Sequence, residues 1–179
     1  MYLRPVVQGW RIHEAAAGGG VILDIGVHDV DALRFVLGHE PEQAMAMGQS
    51  AYLATDGLED GAMAVLRMSG GVLAHLHAAY TTRHAVTSFE ILGEQGSLEA
   101  RDVMGVQPVG TVVLRNGDGT REVPVAHESL YARGVALFSD AVRGRGAPAA
   151  SGEDGVRSLA GALAIARSVK SGKAEAIER

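Results

Sequence analysis

The chain is 179 residues long, with 16 basic and 21 acidic residues and a formal net charge of −5. Its length suits one domain, and its 47% hydrophobic and 21% charged residues are typical of an ordinary folded protein. It has no cysteine, which excludes thiol catalysis and disulfides and agrees with a reducing, cytoplasmic location. The lack of a basic block argues against nucleic acid as a partner, and the lack of a long apolar run argues against a membrane span.

The first part of the chain predicts one strand and one helix. Residues 1–10 alternate weakly and contain Pro5, a pattern typical of an edge strand. From Val21 to Leu37, apolar residues recur at three- and four-residue steps, which predicts a helix. Gly38 and the proline that follows it predict the end of this helix.

The middle of the chain predicts an antiparallel sheet. Short runs of β-type residues are separated by glycine-containing turns, a pattern typical of consecutive hairpins. The predicted strands are Met45–Leu53, Gly61–Met68, Val72–Thr82, Val86–Leu92, Ser97–Val103, Gly110–Arg115 and Thr120–Val125.

The last part of the chain predicts two helices and a short strand. The first helix is predicted over Glu128–Arg143, with a broad apolar face. The second is predicted from Ser151 to about Lys170, because Ser151 and the aspartate three residues later have the spacing of a capping box. A final short strand is predicted over Ala174–Ile177. The predicted fold is therefore α+β, an open and mostly antiparallel β-sheet with helices packed on one face, formed by residues 1–179 as a single domain.

The predicted first helix carries the best candidates for catalysis. Asp24 and His28 are four residues apart, a spacing that places both side chains on one face of a helix. A carboxylate beside an imidazole orients the ring and stabilises its charged form, which suits a general acid or base near neutral pH. The alternative interpretation of such a pair is a surface ion pair. Asp31 is predicted to be structural, paired with Arg34 or Arg11.

Glycines surround this pair. Gly18, Gly19 and Gly20 form a turn before the helix, where backbone amides favour a polar or anionic group. Gly26 lies between Asp24 and His28 and has no side chain, so a ligand could approach the helix closely at that position.

These residues resemble a known family. The residues that carry the resemblance are Trp10, Arg11, Gly18, Gly19, Gly20, Asp24, Gly26, His28, Asp31 and Gly38, followed by Glu59-Asp60 before a strand and by the segment Ile91–Leu98. Together they resemble the substrate domain of the Gfo/Idh/MocA oxidoreductases, which has the fold of the C-terminal domain of glyceraldehyde-3-phosphate dehydrogenase. The resemblance implies that His28 transfers a proton, that Asp24 assists it and that Gly26 lies at the cofactor.

The resemblance also implies a cofactor and partners. The full protein is expected to use NAD or NADP on a sugar, polyol or similar secondary alcohol. Members of this family begin with a Rossmann domain bearing a G-x-G-x-x-G turn, which this sequence lacks. We therefore expect the nucleotide-binding domain to be absent from this chain, and no cofactor to bind to the chain alone. The expected partners are a second copy at the sheet face, in a homodimer or tetramer, and a Rossmann domain in cis or in trans.

Two further sets of residues are candidates for binding. Trp10 and Arg11 precede the glycine turn and could line the same pocket, the alternative being that Trp10 packs under the helix. Tyr80, Arg83 and His84 follow the third predicted strand, at a position where enzymes of the resembling family contact substrate.

The histidines of the third predicted strand do not predict a metal site. His75 and His77 alternate with apolar residues in one strand and point to the same face of the sheet. A stand-alone metal hydrolase using these histidines with the Asp24–His28 pair is one alternative function, although a metal needs three well-placed ligands. The other alternative is a non-catalytic dimerisation module or a partner of a separate Rossmann chain.

Overall fold

The computed structural model describes residues 10–51, 53–55, 57–105 and 107–178, with the side chain of Arg11 excepted. The edge strand predicted over residues 1–10 therefore lies outside the described residues, except at its last position. The described helices are α1 Trp10–His13, α2 Val27–Leu37, α3 Leu130–Val142 and α4 Gly152–Ser171. The described strands are β1 Pro41–Gln49, β2 Gly61–Met68, β3 Leu73–Ala79, β4 Ser88–Gly93, β5 Gly96–Arg101, β6 Thr111–Asn116, β7 Gly119–Val123 and β8 Glu175–Ala176.

The chain forms two compact units, one made of the residues up to 83 and from 151 onward, the other of residues 84–150. Each unit contains one four-stranded sheet, in the order β3-β2-β1-β8 in the first and β4-β5-β6-β7 in the second. All described strand pairs are antiparallel. The predicted α+β class is therefore confirmed, with the strands divided between two sheets. The assignment of the whole chain to a single domain stays a prediction.

The core of the first unit lies between its sheet and its helices. Side chains alternate between the two faces of β2, so Ala64 and Leu66 are buried while Met63 and Val65 are exposed. Helix α4 packs on β1 and on α2, and buries Ala162 and other small residues where the elements meet. The helices of this unit thus cover one face of the sheet, as predicted.

A buried arginine joins the two helices of the first unit. Arg34 on α2 is only 8% exposed and donates two hydrogen bonds to Glu40, of 2.7 and 2.9 Å. It also donates to the carbonyl oxygen of Asp154 and to the hydroxyl of Ser158, both on α4. The hydrogen bond from Arg34 holds the pKa of the Glu40 carboxyl below its usual range. This network fixes the orientation of α2 on α4.

The ends of α4 follow the predicted signals. Ser151 caps the helix, accepting a hydrogen bond from the backbone amide of Asp154, whose carboxylate accepts one from the amide of Ser151 in return. Gly172 ends the helix in the left-handed conformation, with φ of 66°.

The second unit is a meander of hairpins followed by α3. Asn116 pairs with Gly119 across the predicted turn between β6 and β7. Helix α3 begins at the capping residue Ser129 and has no buried residue. Its apolar side chains, including Val135 at 68% and Phe138 at 61%, are exposed.

Candidate functional site

The glycine turn before the candidate pair is held by Glu59. One carboxylate oxygen of Glu59, Oε1, accepts hydrogen bonds from the amides of Gly20, at 3.0 Å, and Ile22, at 3.1 Å. The backbone oxygen of Glu59 accepts a third, from Val21 at 2.9 Å. Amides at the start of a helical segment favour a negative group, and here that group is the chain's own carboxylate. The anionic group expected at this turn is therefore an internal one.

Gly20 is in very close contact with the residue that holds the turn. A Cβ atom placed on Gly20 would lie 2.0 Å from the backbone oxygen of Glu59. Only glycine leaves room for this backbone-to-backbone approach. The glycine at this position is explained by the packing of the chain itself.

The helix predicted from Val21 to Leu37 is observed over those residues, with a π-helical turn near its start. Residues Ile22–Gly26 form this turn, and the amide of Val27 donates to the carbonyl oxygen of Ile22. The regular α-helix begins at Val27. The sequence did not reveal the π turn, which takes one more residue per hydrogen-bonded ring than an α-helix does. Such turns are frequent at functional sites.

Asp24 lies within this π turn and contacts a buried tyrosine. The hydroxyl of Tyr80 donates a hydrogen bond of 2.9 Å to Oδ2 of Asp24. Asp24 is half-buried, whereas Tyr80 is 0% exposed. The backbone amide of Tyr80 in turn donates to the carbonyl oxygen of Asp60, at 2.9 Å. The structure therefore brings Asp24 together with Tyr80, two residues that the sequence analysis had placed in different groups of candidates.

His28 lies in the first turn of α2, and its side chain is exposed. Its neighbour Asp29 is half-buried, and burial raises the pKa of the Asp29 carboxyl to about 6, with the charge of His28 acting in the opposite direction. The imidazole of His28 is thus accessible to a ligand, as an acid or base must be.

Gly26 behaves differently from Gly20. It is buried, but a Cβ atom placed on it would lie 3.8 Å from the side chain of Ile22 and 3.9 Å from the carbonyl oxygen of Val21, which are ordinary contacts. The packing of the described residues therefore does not require glycine at this position. The role of Gly26 at the cofactor stays a prediction.

Asp31 is structural, as predicted. Its Oδ1 accepts hydrogen bonds from Arg34 at 3.5 Å and from the hydroxyl of Ser158 at 2.7 Å. It belongs to the network that joins α2 to α4.

A second carboxylate next to Glu59 is connected to the turn that carries Trp10 and Arg11. Asp60 is fully buried, and its Oδ2 accepts hydrogen bonds from backbone amides of the 51–54 loop, namely those of Ala51, Leu53 and Ala54. Thr55, which follows this loop, donates from its amide to the carbonyl oxygen of Ile12 in α1. Trp10 itself is 55% exposed, which contradicts the alternative that it packs under the helix. The side chain of Arg11 lies outside the described residues.

Sequence reasoning missed what Glu59 and Asp60 do. The family resemblance includes this pair but assigns it no role. The signal in the sequence is that acidic side chains beside turns often accept hydrogen bonds from backbone amides. These adjacent residues hold the segment that carries Asp24 on one side and, through the 51–54 loop, the α1 turn on the other.

The other candidate residues have exposed side chains. Arg83 and His84 are both exposed, at the end of the first unit and the start of the second. His75 and His77 are exposed on the outer face of the first sheet, opposite Val65 and Met63. Among the described residues, no three His, Asp or Glu side chains are arranged to hold a metal ion. The metal-hydrolase alternative has no support in this part of the chain.

A surface groove of about 460 Å³ lies in the second unit along the β4–β5 hairpin, and none of the candidate residues lines it.

No helix within the described ranges is both long and apolar enough to cross a membrane.

Comparisons with known proteins agree on one family. The sequence profile of the GFO/IDH/MocA C-terminal domain matches residues 2–99. The chain is 49% identical over 178 residues to the 1,5-anhydro-D-fructose reductase of Ensifer adhaerens, covering 99% of this chain and 54% of that protein. It is 29% identical to the myo-inositol 2-dehydrogenase of Thermotoga maritima, covering 89% and 50% respectively.

The fold is shared with solved structures. The crystal structure of an aldose-aldose oxidoreductase from Caulobacter crescentus, complexed with glycerol, matches with a TM-score of 0.85 at 22% identity. The match covers 98% of this chain and 52% of that one. The chain thus spans about half the length of the relatives it matches.

Proposed function

Because this chain belongs to the Gfo/Idh/MocA family through its C-terminal domain, we propose that it is the substrate-binding and oligomerisation half of an NAD(P)-dependent oxidoreductase. Its substrate is the secondary alcohol, or the matching carbonyl, of a sugar, polyol or similar small molecule. The names of the relatives support this class, since they are a sugar-derivative reductase, an inositol dehydrogenase and an aldose oxidoreductase. One observation carries the proposal. The carboxylate of Asp24 accepts a hydrogen bond from Tyr80 and lies four residues before His28, whose imidazole is exposed.

The residues of this chain fit one part of the cofactor and not another. A dinucleotide pyrophosphate needs a glycine turn with accessible amides, and the amides of Gly20 and Ile22 are occupied by Glu59. The phosphate-binding turn is therefore expected from a separate Rossmann domain, in cis or in trans. The residues that fit the reactive end are His28 and Asp24, with Gly26 proposed beside the ring. When bound, the nicotinamide supplies the hydride chemistry.

The proposed chemistry assigns each residue one task. In the oxidation direction, His28 accepts the hydroxyl proton of the substrate, and in the reduction direction it returns that proton. Asp24 stabilises the charged imidazole and orients the substrate. Trp10 and Arg11 on α1, together with Arg83 and His84, are the proposed substrate contacts. Tyr80 was expected among them from the sequence, but its side chain is completely buried.

The test is kinetic and uses this chain joined to a nucleotide-binding domain of the family. We expect dehydrogenase or reductase activity on polyols or sugar derivatives, and we expect His28→Ala to lower kcat by about 10²- to 10⁴-fold, the usual contribution of a positioned acid–base group. His39→Ala is the matched control, because His39 makes its hydrogen bond to Ser69 away from the candidate pair. Unchanged turnover in the His28 variant would remove this residue from the mechanism.

A second role, self-association, is supported by the outer face of the first sheet. The exposed side chains of this face include five large apolar residues, which are Met45, Met47, Met63, Val65 and Leu73. A sheet with one face covered by helices leaves the other available to a partner. We propose a second copy of this chain as that partner, in a homodimer or tetramer, and this role would persist even if the domain were not catalytic.

We propose that β2 lies at the centre of this interface, because β2 is an inner strand of the sheet and β3 is an edge strand. Sedimentation equilibrium of the 179-residue chain should show a dimer or larger species at tens of micromolar. A double Met63→Lys, Val65→Glu variant should be monomeric, and a wild-type monomer would contradict the proposal.

A further inference from the structure

The contact between Tyr80 and Asp24 is the most informative one that the proposed mechanism leaves without a role. The two residues are 56 positions apart in sequence, and the hydroxyl of Tyr80 lies 2.9 Å from Oδ2 of Asp24. A hydrogen bond to a charged carboxylate is stronger than one between neutral groups and fixes its geometry more closely. The contact therefore restrains the side chain of Asp24.

The position of the Tyr80 hydroxyl is set by the sheet. Tyr80 immediately follows β3, whose last residue, Ala79, pairs with Gly61 at the start of β2. The amide of Tyr80 donates to the carbonyl oxygen of Asp60, and the side chain is completely buried. A buried aromatic ring with an anchored backbone has little freedom to move. The hydroxyl is thus a fixed point from which the carboxylate of Asp24 can be oriented.

Asp24 is held by its backbone as well as by its side chain. It lies half-buried in the π turn, and its amide donates a hydrogen bond of 3.1 Å to the carbonyl oxygen of Gly20. The start of this turn is held by Glu59, through the amides of Gly20 and Ile22. Glu59 restrains the backbone of the segment, and Tyr80 restrains the side chain that the proposed mechanism uses.

We propose that Tyr80 is a positioning residue, which acts on the reaction through Asp24 by fixing the orientation of its carboxylate. This assignment replaces the substrate contact expected for Tyr80 from the sequence, because a completely buried ring presents no surface to a substrate. It rests on the proposed function only for its effect on turnover. The restraint on Asp24 itself is independent of that function.

The first test is Tyr80→Phe in this chain joined to a nucleotide-binding domain. Phenylalanine keeps the buried ring and removes only the hydroxyl. We expect kcat to fall by about tenfold, the effect of losing one hydrogen bond to a charged group, while KM changes by less than about twofold. In an Asp24→Asn background, the same Tyr80 substitution should have little further effect on kcat, because its route of action has been removed.

The matched control is Ser168→Ala, which also removes one buried hydroxyl from the first unit. Ser168 accepts a hydrogen bond from the amide of Ala46 and donates one to the carbonyl oxygen of Lys173, away from the candidate pair. Both variants should lower the melting temperature by a few degrees, and only the tyrosine variant should lower kcat. An equal effect of the two on kcat would show that loss of stability explains the result, and would overturn the proposal.

The second test does not depend on activity. In the 179-residue chain, the side-chain couplings of Asp24 measured by nuclear magnetic resonance should indicate a single χ1 rotamer, and those in Tyr80→Phe should indicate averaging. A single rotamer in both proteins would overturn the positioning role, whatever the kinetics. If Asp24 loses its single rotamer but neither Asp24→Asn nor His28→Ala changes turnover, the proposed function fails and the restraint by Tyr80 stands.

Discussion

The two ends of the segment from Gly20 to His28 are built in opposite ways. At its start, the amides of Gly20 and Ile22 are bonded to Glu59, and Gly20 has no room for a side chain. At its other end, Gly26 has room for a methyl group, and the imidazole of His28 is exposed. Two glycines six positions apart therefore have different explanations, since the packing of the chain requires the first and not the second.

This difference separates residues that hold the segment from residues that are available for chemistry. Substitutions at the start should damage folding, and substitutions at the far end should leave folding nearly unchanged while affecting function. Gly20→Ala and Gly26→Ala test that separation, and Asp29→Asn tests the burial of the carboxyl that follows His28.

Gly20→Ala should destabilise the protein by about 3 kcal/mol or more, because the new methyl group would lie 2.0 Å from the backbone oxygen of Glu59 and backbone atoms cannot move aside cheaply. Denaturant unfolding of the chain measures this. Gly155→Ala is the control, since Gly155 is exposed on α4 and nothing lies within 4 Å of a methyl group placed there. Equal losses in the two variants would show that the contact with Glu59 is not the cause.

Asp29→Asn should change the pH dependence of stability. Burial raises the pKa of Asp29 to about 6 from an ordinary value of 3.8, so the folded state favours the protonated form. The resulting stabilisation is complete below the unfolded pKa and is lost as the pH rises through about 6. The variant should therefore match the wild type near pH 4 and be more stable by about 1–2 kcal/mol at pH 7–8.

Unfolding free energies at several pH values between 4 and 8 measure the effect of Asp29. Glu94→Gln, in the exposed turn between β4 and β5, provides the comparison and should give a curve parallel to that of the wild type. If the stability curve of Asp29→Asn were also parallel to that of the wild type, burial would not raise the pKa of the Asp29 carboxyl.

Gly26→Ala should have the smallest effect on folding, within about 1 kcal/mol and in the stabilising direction, because Gly26 has helical torsion angles (φ −58°, ψ −30°) and alanine has the higher helix propensity. If Gly26 lies beside the nicotinamide, the same substitution raises the KM for the cofactor in the protein joined to a Rossmann domain. An unchanged KM would remove Gly26 from the cofactor site and leave the folding comparison intact.

Elements with local signals were predictable from the sequence. Strand β2 has the predicted bounds, Gly61–Met68, because apolar residues alternate between two glycine-containing turns. Helix α4 begins at Ser151 and stops before Gly172 because both ends are encoded by neighbouring residues.

Strand β1 was predicted too far along the chain. It was expected over Met45–Leu53 and is observed over Pro41–Gln49. The amides of Ala51 and Leu53 leave the strand ladder because they donate to the buried carboxylate of Asp60. Such a competing acceptor is not visible in the local pattern. Proline is tolerated as the first residue of the strand, so it does not stop β1 from starting at that position.

The candidate site also has features with a local sequence signal and features without one. The Asp24–His28 pair was identifiable from its spacing and from the family resemblance. The bond between Asp24 and Tyr80 was not identifiable, since it joins residues 56 positions apart, and the apolar spacing did not reveal the π turn. A sequence pattern predicts the periodicity of one helix or strand. It does not predict which buried side chain from another part of the chain contacts that element.

The two anchors of the helical segment also fix how many residues it can contain. Glu59 binds the amides at Gly20 and Ile22, and Arg34 ties the other end to α4 through Ser158. The π turn adds one residue to the helix between these anchors. Deleting a single residue between Val27 and Arg34, where the helix is regular, would shift one anchor by about 1.5 Å along the helix and 100° around it. Related sequences should therefore vary in composition along this segment and keep its length.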